Sequence, residues 1–324
     1  MRLVRCLLVV VISATTAPLL AQKPNDVAIK RVVDGLASDD FCTRAVTRQQ
    51  IQDMGKYARV LVPAIVKLLN EENSITRGVA AAVLGEIGEA AKESVPQLEK
   101  CLRDKDKSVR FCAAMALGRI GKPADSAIHS LVVALKDEAT RLAAAQALFA
   151  ISKHEAAIPA LVECLGNKPS WERAAAAKIL GEYGTRAEQS MVALKKLLKD
   201  DDAQVRIYSA EALWSICRCQ EASVTLAKEL QSQKGIYWYT AARATWRTKQ
   251  DPAVIKLLIK SLKNEDDTDR FMAALTLRDI GPRASEALPA LKSLAKNDRD
   301  RIVRDVAAEA VKAISQAIEP CPPR

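Results

Sequence analysis

The stretch DKSVRFCAAMALGRIG, from Asp106 to Gly121, carries the signals of one complete α-helix. Asp106 suits the start: its carboxylate can accept from free N–H groups of the first turn, and its charge favours the positive helix end. Ala113, Ala114, Ala116 and Leu117 fall on one packed side. Gly121 suits the stop, because glycine takes the left-handed C′ conformation at low cost. A helix over Lys107–Ile120 is predicted.

The same signals recur along the chain. Arg110 belongs to a series of Arg44, Arg77, Arg110, Arg141, Arg173, Arg206, Arg270 and Arg304, spaced by 33, 33, 31, 32, 33, 64 and 34 residues. The 64 is two periods, and Trp238 stands at the missing place. Seven residues after each anchor lie Ile51, Leu84, Leu117, Leu148, Leu180, Leu213, Thr245, Leu277 and Val311. Eleven after it come Gly55, Gly88, Gly121, Gly184 and Gly281. Nineteen after it come Pro63, Pro96 and Pro289, with Pro159 one place early, and four before it come Asp40, Asp106, Asp137, Asp202, Asp266 and Asp300. The proline falls in the first turn of a second helix, where its missing N–H is harmless. That second helix closes on Leu69, Leu102, Leu135, Leu165, Leu198, Leu230, Leu262 or Leu294. Each unit is therefore a helix–turn–helix pair that cannot bury its apolar face alone but can do so in a stack. The tetratricopeptide pattern needs aromatic and glycine positions that are missing.

The Asp106–Gly121 motif, preceded by Pro96-Gln97-Leu98, resembles a HEAT repeat, and the short period resembles the subclass also found in phycobilisome lyases. The resemblance spans about residues 38–315 and implies an all-α fold: a right-handed α-solenoid, or superhelix, of about eight to nine HEAT-like helix pairs. It also implies a ladder in which Asp and Arg bond neighbouring repeats, here Asp40, Arg44, Asp106, Arg110, Asp137, Arg141, Asp202, Arg206, Asp266, Arg270, Asp300 and Arg304, with Arg77 and Arg173 on the arginine side. The fifth repeat departs from the pattern at Pro169, and the seventh at Lys234 and Trp238. Residues 22–37 suit a capping helix, since Ile29, Val32, Val33 and Leu36 recur at helical spacing. Residues 316–324, ending Pro320-Cys321-Pro322-Pro323-Arg324, are expected to fray.

Composition agrees with stacked helices. Apolar residues make up 49% of the 324 and aromatics only 4%, with alanine and leucine abundant. Residues 1–21 read as a signal peptide: Arg2 and Arg5, an apolar run from Leu7 to Ile12, and Ala21 before Gln22. The expected location is periplasmic or extracellular, and an uncleaved anchor is the alternative. The net charge is +10, from 49 Lys+Arg against 39 Asp+Glu, and becomes +8 once Arg2 and Arg5 are removed. Loss of Cys6 would leave seven of eight cysteines, so at least one is unpaired within the chain. Cys101 and Cys164 sit at core positions of second helices.

The HEAT resemblance assigns the concave face to the second helices. Their last nine residues in the first eight repeats carry Lys67, Lys100, Lys195, Lys196, Lys228, Lys256, Lys260 and Lys292 against Glu99, Glu163, Glu229 and Glu286. This excess suits either an anion-attracting inner face or an ordinary solvated helix face. Trp171, Trp214, Trp238 and Trp246 all fall between 171 and 246, with Tyr183, Tyr208, Tyr237 and Tyr239. Consecutive Tyr237, Trp238 and Tyr239 cannot all face one core, so at least one is exposed or set against an adjacent repeat. The cluster suits a partner-binding hot spot or the filling of an irregularity in the stack.

Catalytic signals are missing. His129 and His154 have no metal-ligand spacing, Cys217-Arg218-Cys219 is one residue short of a Cys-x-x-Cys pair, and no phosphate loop or nucleophile elbow is present. The reading is a non-catalytic scaffold without cofactor, binding an unidentified protein, anionic in character, through Lys195, Lys196, Lys228, Lys256, Lys260, Lys292, Tyr237, Trp238 and Tyr239. The alternatives are a chromophore lyase-like or other modifying enzyme of the same repeat class, as the resemblance allows, and binding of nucleic acid or another polyanion.

Overall fold

The structure is a computed structural model that describes residues 25–166, 168–231 and 236–315. The expected leader, Gln22, Lys234 and the 316–324 tail lie outside the described residues. Helices alternate with short turns, and no strand occurs among the described residues.

The chain divides into two units, one ending at Glu163 and the other beginning at Cys164. The first contains α1 (Asp26–Ala37) and the pairs α2 (Phe41–Asp53) with α3 (Val62–Leu68), α4 (Ser74–Ile87) with α5 (Val95–Cys101), α6 (Lys107–Ile120) with α7 (Ile128–Ala134), and α8 (Arg141–Ser152) with α9 (Ala157–Cys164). The second contains α10 (Ser170–Tyr183) with α11 (Met191–Leu197), α12 (Ala203–Cys217) with α13 (Gln220–Gln231), α14 (Ile236–Lys249) with α15 (Pro252–Ser261), α16 (Asp267–Ile280) with α17 (Leu288–Asn297), and α18 (Arg301–Ser315). In each unit the first helix of a pair packs on the first helix of the next: α4 on α6 on α8, and α10 through α18 by even numbers. Each unit is an all-α solenoid, and the anchor-plus-seven leucines Leu84, Leu117, Leu148, Leu180, Leu213 and Leu277 are fully buried along its axis. Cys101 and Cys164 are core residues as well.

Local chemistry sets the helix ends. The side chains of Asp40, Asp106, Asp202, Asp266 and Asp300 each accept from first-turn N–H groups, and Asn73 does so for α4. Gly88, Gly121, Gly184 and Gly281 follow α4, α6, α10 and α16 with φ between 60° and 75°. Their ψ lies near −140°, which is not the left-handed helical conformation expected from the sequence but a region that only glycine occupies without strain. A 3-10 turn of six or seven residues then leads to the second helix. Where the glycine is missing, the first helix runs on and ends at a left-handed Lys153 or Arg218.

A second glycine position, eight residues after the anchor, has a different task. A Cβ built on Gly85 would lie 2.7 Å from the Cα of Ala116, and on Gly118 or Gly181 it would lie 2.9 Å from the Cα of Ala147 or Ala212. These glycines let adjacent first helices touch backbone to backbone.

The arginine series ties each first helix to a carboxylate of its own second helix or of the loop beyond it, and the partners differ from the expected ladder. Arg77 pairs with Asp104, Arg173 with Asp200 and Arg270 with Asp298, each through two parallel bonds of 2.7–2.9 Å. These aspartates stand two residues before the capping position, in the loop that leads into the next repeat. Arg206 uses Glu229 at 2.7 Å, and Arg141 lies 3.0 Å from Glu163. Of the expected aspartates only Asp137 bridges, accepting from Arg110 at 2.7 Å. Asp40, Asp106, Asp202, Asp266 and Asp300 cap helices instead, because a carboxylate held against the first-turn N–H groups is spent there. The rung at repeat five therefore survives Pro169. Each arginine also closes its own preceding loop: Arg110 donates to the carbonyls of Asp104 and Lys105, and Arg304 to those of Asp298 and Arg299. Arg44 donates to the Ser38 carbonyl at 2.7 Å and stacks on Phe41.

Candidate functional site

The six candidate lysines all belong to the second unit, and all are exposed. Leu194, Leu226 and Leu258 are buried to 1% or less and anchor α11, α13 and α15. Lys196, Lys228 and Lys260 each stand two residues beyond that leucine, so they occupy one register position in three successive repeats. Packed helices lie roughly 10 Å apart, which sets the spacing of the row. Lys256 is one helical turn before Lys260, and Lys195 and Lys292 share the adjacent register, one residue past Leu194 and Leu291. Lys195 contacts Glu221 at 3.2 Å, which holds its ammonium pKa above the usual lysine value. Glu229, the carboxylate beside Lys228, is turned toward Arg206. The ladder therefore removes an acidic group that would otherwise offset the lysine row.

The aromatic candidates divide. Tyr237 is 41% exposed, while Trp238 and Tyr239 are 5% and 4% exposed and belong to the core of the second unit. This corrects the reading of all three as a docking patch. Trp238 occupies the arginine place, and its indole N–H donates to the Leu230 carbonyl at 2.8 Å, much as the arginines close their loops. The Tyr239 hydroxyl donates to Asp269 of the following repeat at 2.9 Å. Burial and then the Asp269 carboxylate push that hydroxyl's pKa up. Trp214 and Trp246 fall at the close-approach glycine place, eight residues past Arg206 and Trp238, so an indole stands where Gly118 and Gly181 admit a neighbouring backbone. Three of the four tryptophans thus serve an irregular stretch of the stack, and Trp171 is exposed.

A cavity of about 440 Å³ opens beside this irregular repeat, between the start of α14 and the end of α15. Lys260, Lys263, Ser261, Asn264, Leu257 and Asp269 line it with the two buried rings. Lys260, Trp238 and Tyr239 were legible as candidates in the sequence but the cavity was not, its one sequence signal being the tryptophan in the arginine column.

Among the described residues no group of three His, Cys, Asp or Glu is placed to hold a metal ion. No helix among them is long and apolar enough to cross a membrane. Cys217 is exposed and its thiol donates to the Leu213 carbonyl at 3.2 Å, whereas burial pushes the Cys101 thiol up to about 11.

The sequence pattern of HEAT repeats matches residues 62–148, 128–214 and 223–312. The chain belongs to the HEAT-repeat family. Among solved structures it is similar to an engineered protein, with 24% identity, a TM-score of 0.44, and 91% of this chain and 92% of that one covered. It is also similar to human deoxyhypusine hydroxylase in complex with glycerol, with 19% identity, a TM-score of 0.34, and 89% and 96% covered. No curated protein matches the chain.

Proposed function

We propose that this HEAT-repeat protein is an exported, non-catalytic scaffold that holds an acidic protein partner against the second-helix face of its C-terminal unit. The observation that carries this reading is the register of Lys196, Lys228 and Lys260: three exposed ammonium groups on consecutive repeats, extended by Lys256 and Lys292. A single surface ion pair contributes little, about 0–1 kcal/mol. A row of cations on a rigid frame acts collectively, raising the encounter rate with an acidic partner and setting its direction along the stack. Glu221 and Glu229, spent on Lys195 and Arg206, leave the row its positive character.

The test is capture from the native envelope extract by residues 22–324, beside a Lys196→Glu, Lys256→Glu, Lys260→Glu variant. A protein held by the unaltered chain, released by moderate salt and lost by the variant is the expected result. Equal capture by both would remove the lysine row from the reading. Export has its own check: N-terminal sequencing of the protein from the envelope fraction should begin at Gln22.

A further inference from the structure

The cavity of the second unit coincides with the break in the arginine ladder. In the repeats on either side, Arg206 sends its guanidinium to Glu229 on the second helix of its own pair, and Arg270 sends its to Asp298 in the loop that leads into the next repeat. Position 238 carries tryptophan, whose single N–H is already spent on the Leu230 carbonyl. An arginine there would face Glu265, 27 residues on, the spacing of the Arg77–Asp104 rung. Glu265 is instead exposed. A cavity of about 440 Å³ lies beside Trp238, and Glu265 is not among its lining residues.

Its walls have a definite chemistry. Trp238 and Tyr239 meet edge to face at 4.8 Å and, with Leu257, supply an apolar side. Asp269 is engaged on both oxygens, by the Tyr239 hydroxyl at 2.9 Å and the Asn264 amide at 2.8 Å. The groups left to meet a ligand are the ammonium ends of Lys260 and Lys263, both exposed at the rim. An apolar wall beneath two cations fits a carboxylate carried next to an apolar or aromatic group, with the ring or chain against Trp238 and Leu257 and the carboxylate between the lysines.

We propose that this cavity is the anchor site for the acidic partner, receiving a segment in which a carboxylate adjoins an apolar side chain. The inference rests on the scaffold reading, since Lys260 is also a member of the lysine row. It adds a fixed point: the row guides the segment along the stack, and the cavity beside Trp238 seats one residue of it.

A fluorescein-labelled five-residue peptide of alternating glutamate and phenylalanine, titrated against the full chain by anisotropy, tests the site. Lys260→Glu with Lys263→Glu should weaken binding at least roughly tenfold with an unchanged melting temperature, as for loss of a central charged anchor. Trp238→Arg, which removes the indole wall of the cavity, should weaken binding comparably while every lysine remains. Lys196→Glu with Lys228→Glu should change this short peptide's affinity by less than about threefold, because the row lies outside the anchor. No binding to the unaltered chain, or equal binding to the Lys260→Glu, Lys263→Glu variant, overturns the anchor site. Should the row variant alone lose the peptide, the anchor is overturned while the scaffold reading stands. The lysine pair is exposed, so the test holds even if Trp238→Arg does not fold.

Discussion

Arg77 meets Asp104 side-on across 27 residues of sequence, its Nε and one terminal nitrogen 2.7 and 2.8 Å from the two carboxylate oxygens, while its other terminal nitrogen donates to the carbonyls of Glu71 and Glu72. One planar group thus ties its own loop to the next. Both side chains are nearly buried, at 7% and 12% exposed. Asp104→Asn should leave a buried guanidinium without its counter-charge and lower stability by about 3 kcal/mol. Denaturant unfolding at pH 7 checks this, and a loss below about 0.5 kcal/mol would show that the rung is ornamental.

The same rungs make stability depend on acid. Hydrogen bonds from Arg77, Arg110 and Arg270 hold the carboxyls of Asp104, Asp137 and Asp298 below the usual aspartate value of 3.8. For Asp200 burial pushes upward, but the Arg173 bond and its companions outweigh it. A carboxyl whose folded pKa is depressed contributes stability above its unfolded pKa and loses it as pH falls through the folded one. The melting temperature should therefore stay level from pH 7 to about pH 5 and fall steadily below about pH 4. Asp104→Asn should flatten that decline, and an equally steep fall in the variant would assign acid sensitivity to other groups.

Gly118→Ala should destabilise, although alanine is the better helix former by about 1 kcal/mol. The added carbon would sit 2.9 Å from the Cα of Ala147, and the obstacle is backbone, which cannot swing aside. Overpacking of this kind costs about 1–3 kcal/mol. Thermal unfolding decides the sign, and a stabilised variant would mean that the two helices slide apart freely.

Leu117→Ala and Lys260→Glu separate frame from face. Leu117 is fully buried and its truncation should cost about 2–5 kcal/mol. Lys260 is exposed, and its reversal should leave the melting temperature within a degree or so while weakening an acidic ligand. Unfolding of the Leu117→Ala variant at the original temperature would contradict the repeat register.

Thiol chemistry should follow burial. At pH 8 about one Cys101 thiol in a thousand is ionised at a pKa of about 11, whereas Cys217 lies at the surface. Iodoacetamide followed by peptide mass mapping should modify Cys217 first and Cys101 only on unfolding. Early labelling of Cys101 would show that α5 opens readily.

The sequence by itself determined the repeat, the helix pairs, the capping aspartates and the buried leucines. Each of these is a local decision: Asp106 finds its partner two residues away, and Gly121 ends a helix through its own φ and ψ. It also spaced Lys196, Lys228 and Lys260 evenly, but which side of the second helix they take is set by the burial of Leu194, Leu226 and Leu258. What only the tertiary structure decided depends on contacts between repeats. Asp104 and Asp106 are both plausible ladder residues by spacing, and only the stack shows that the one near the N–H groups caps while the other reaches Arg77. Gly85 and Gly118 read as ordinary helix residues until a neighbouring backbone arrives at the missing Cβ. Trp238 read either as a docking ring or as the filling of an irregular repeat, and the stack turned it inward, because a large apolar side chain in a column otherwise held by arginine gains more from burial than from water. The cavity beside it is lined from two repeats together, which no single stretch of sequence contains.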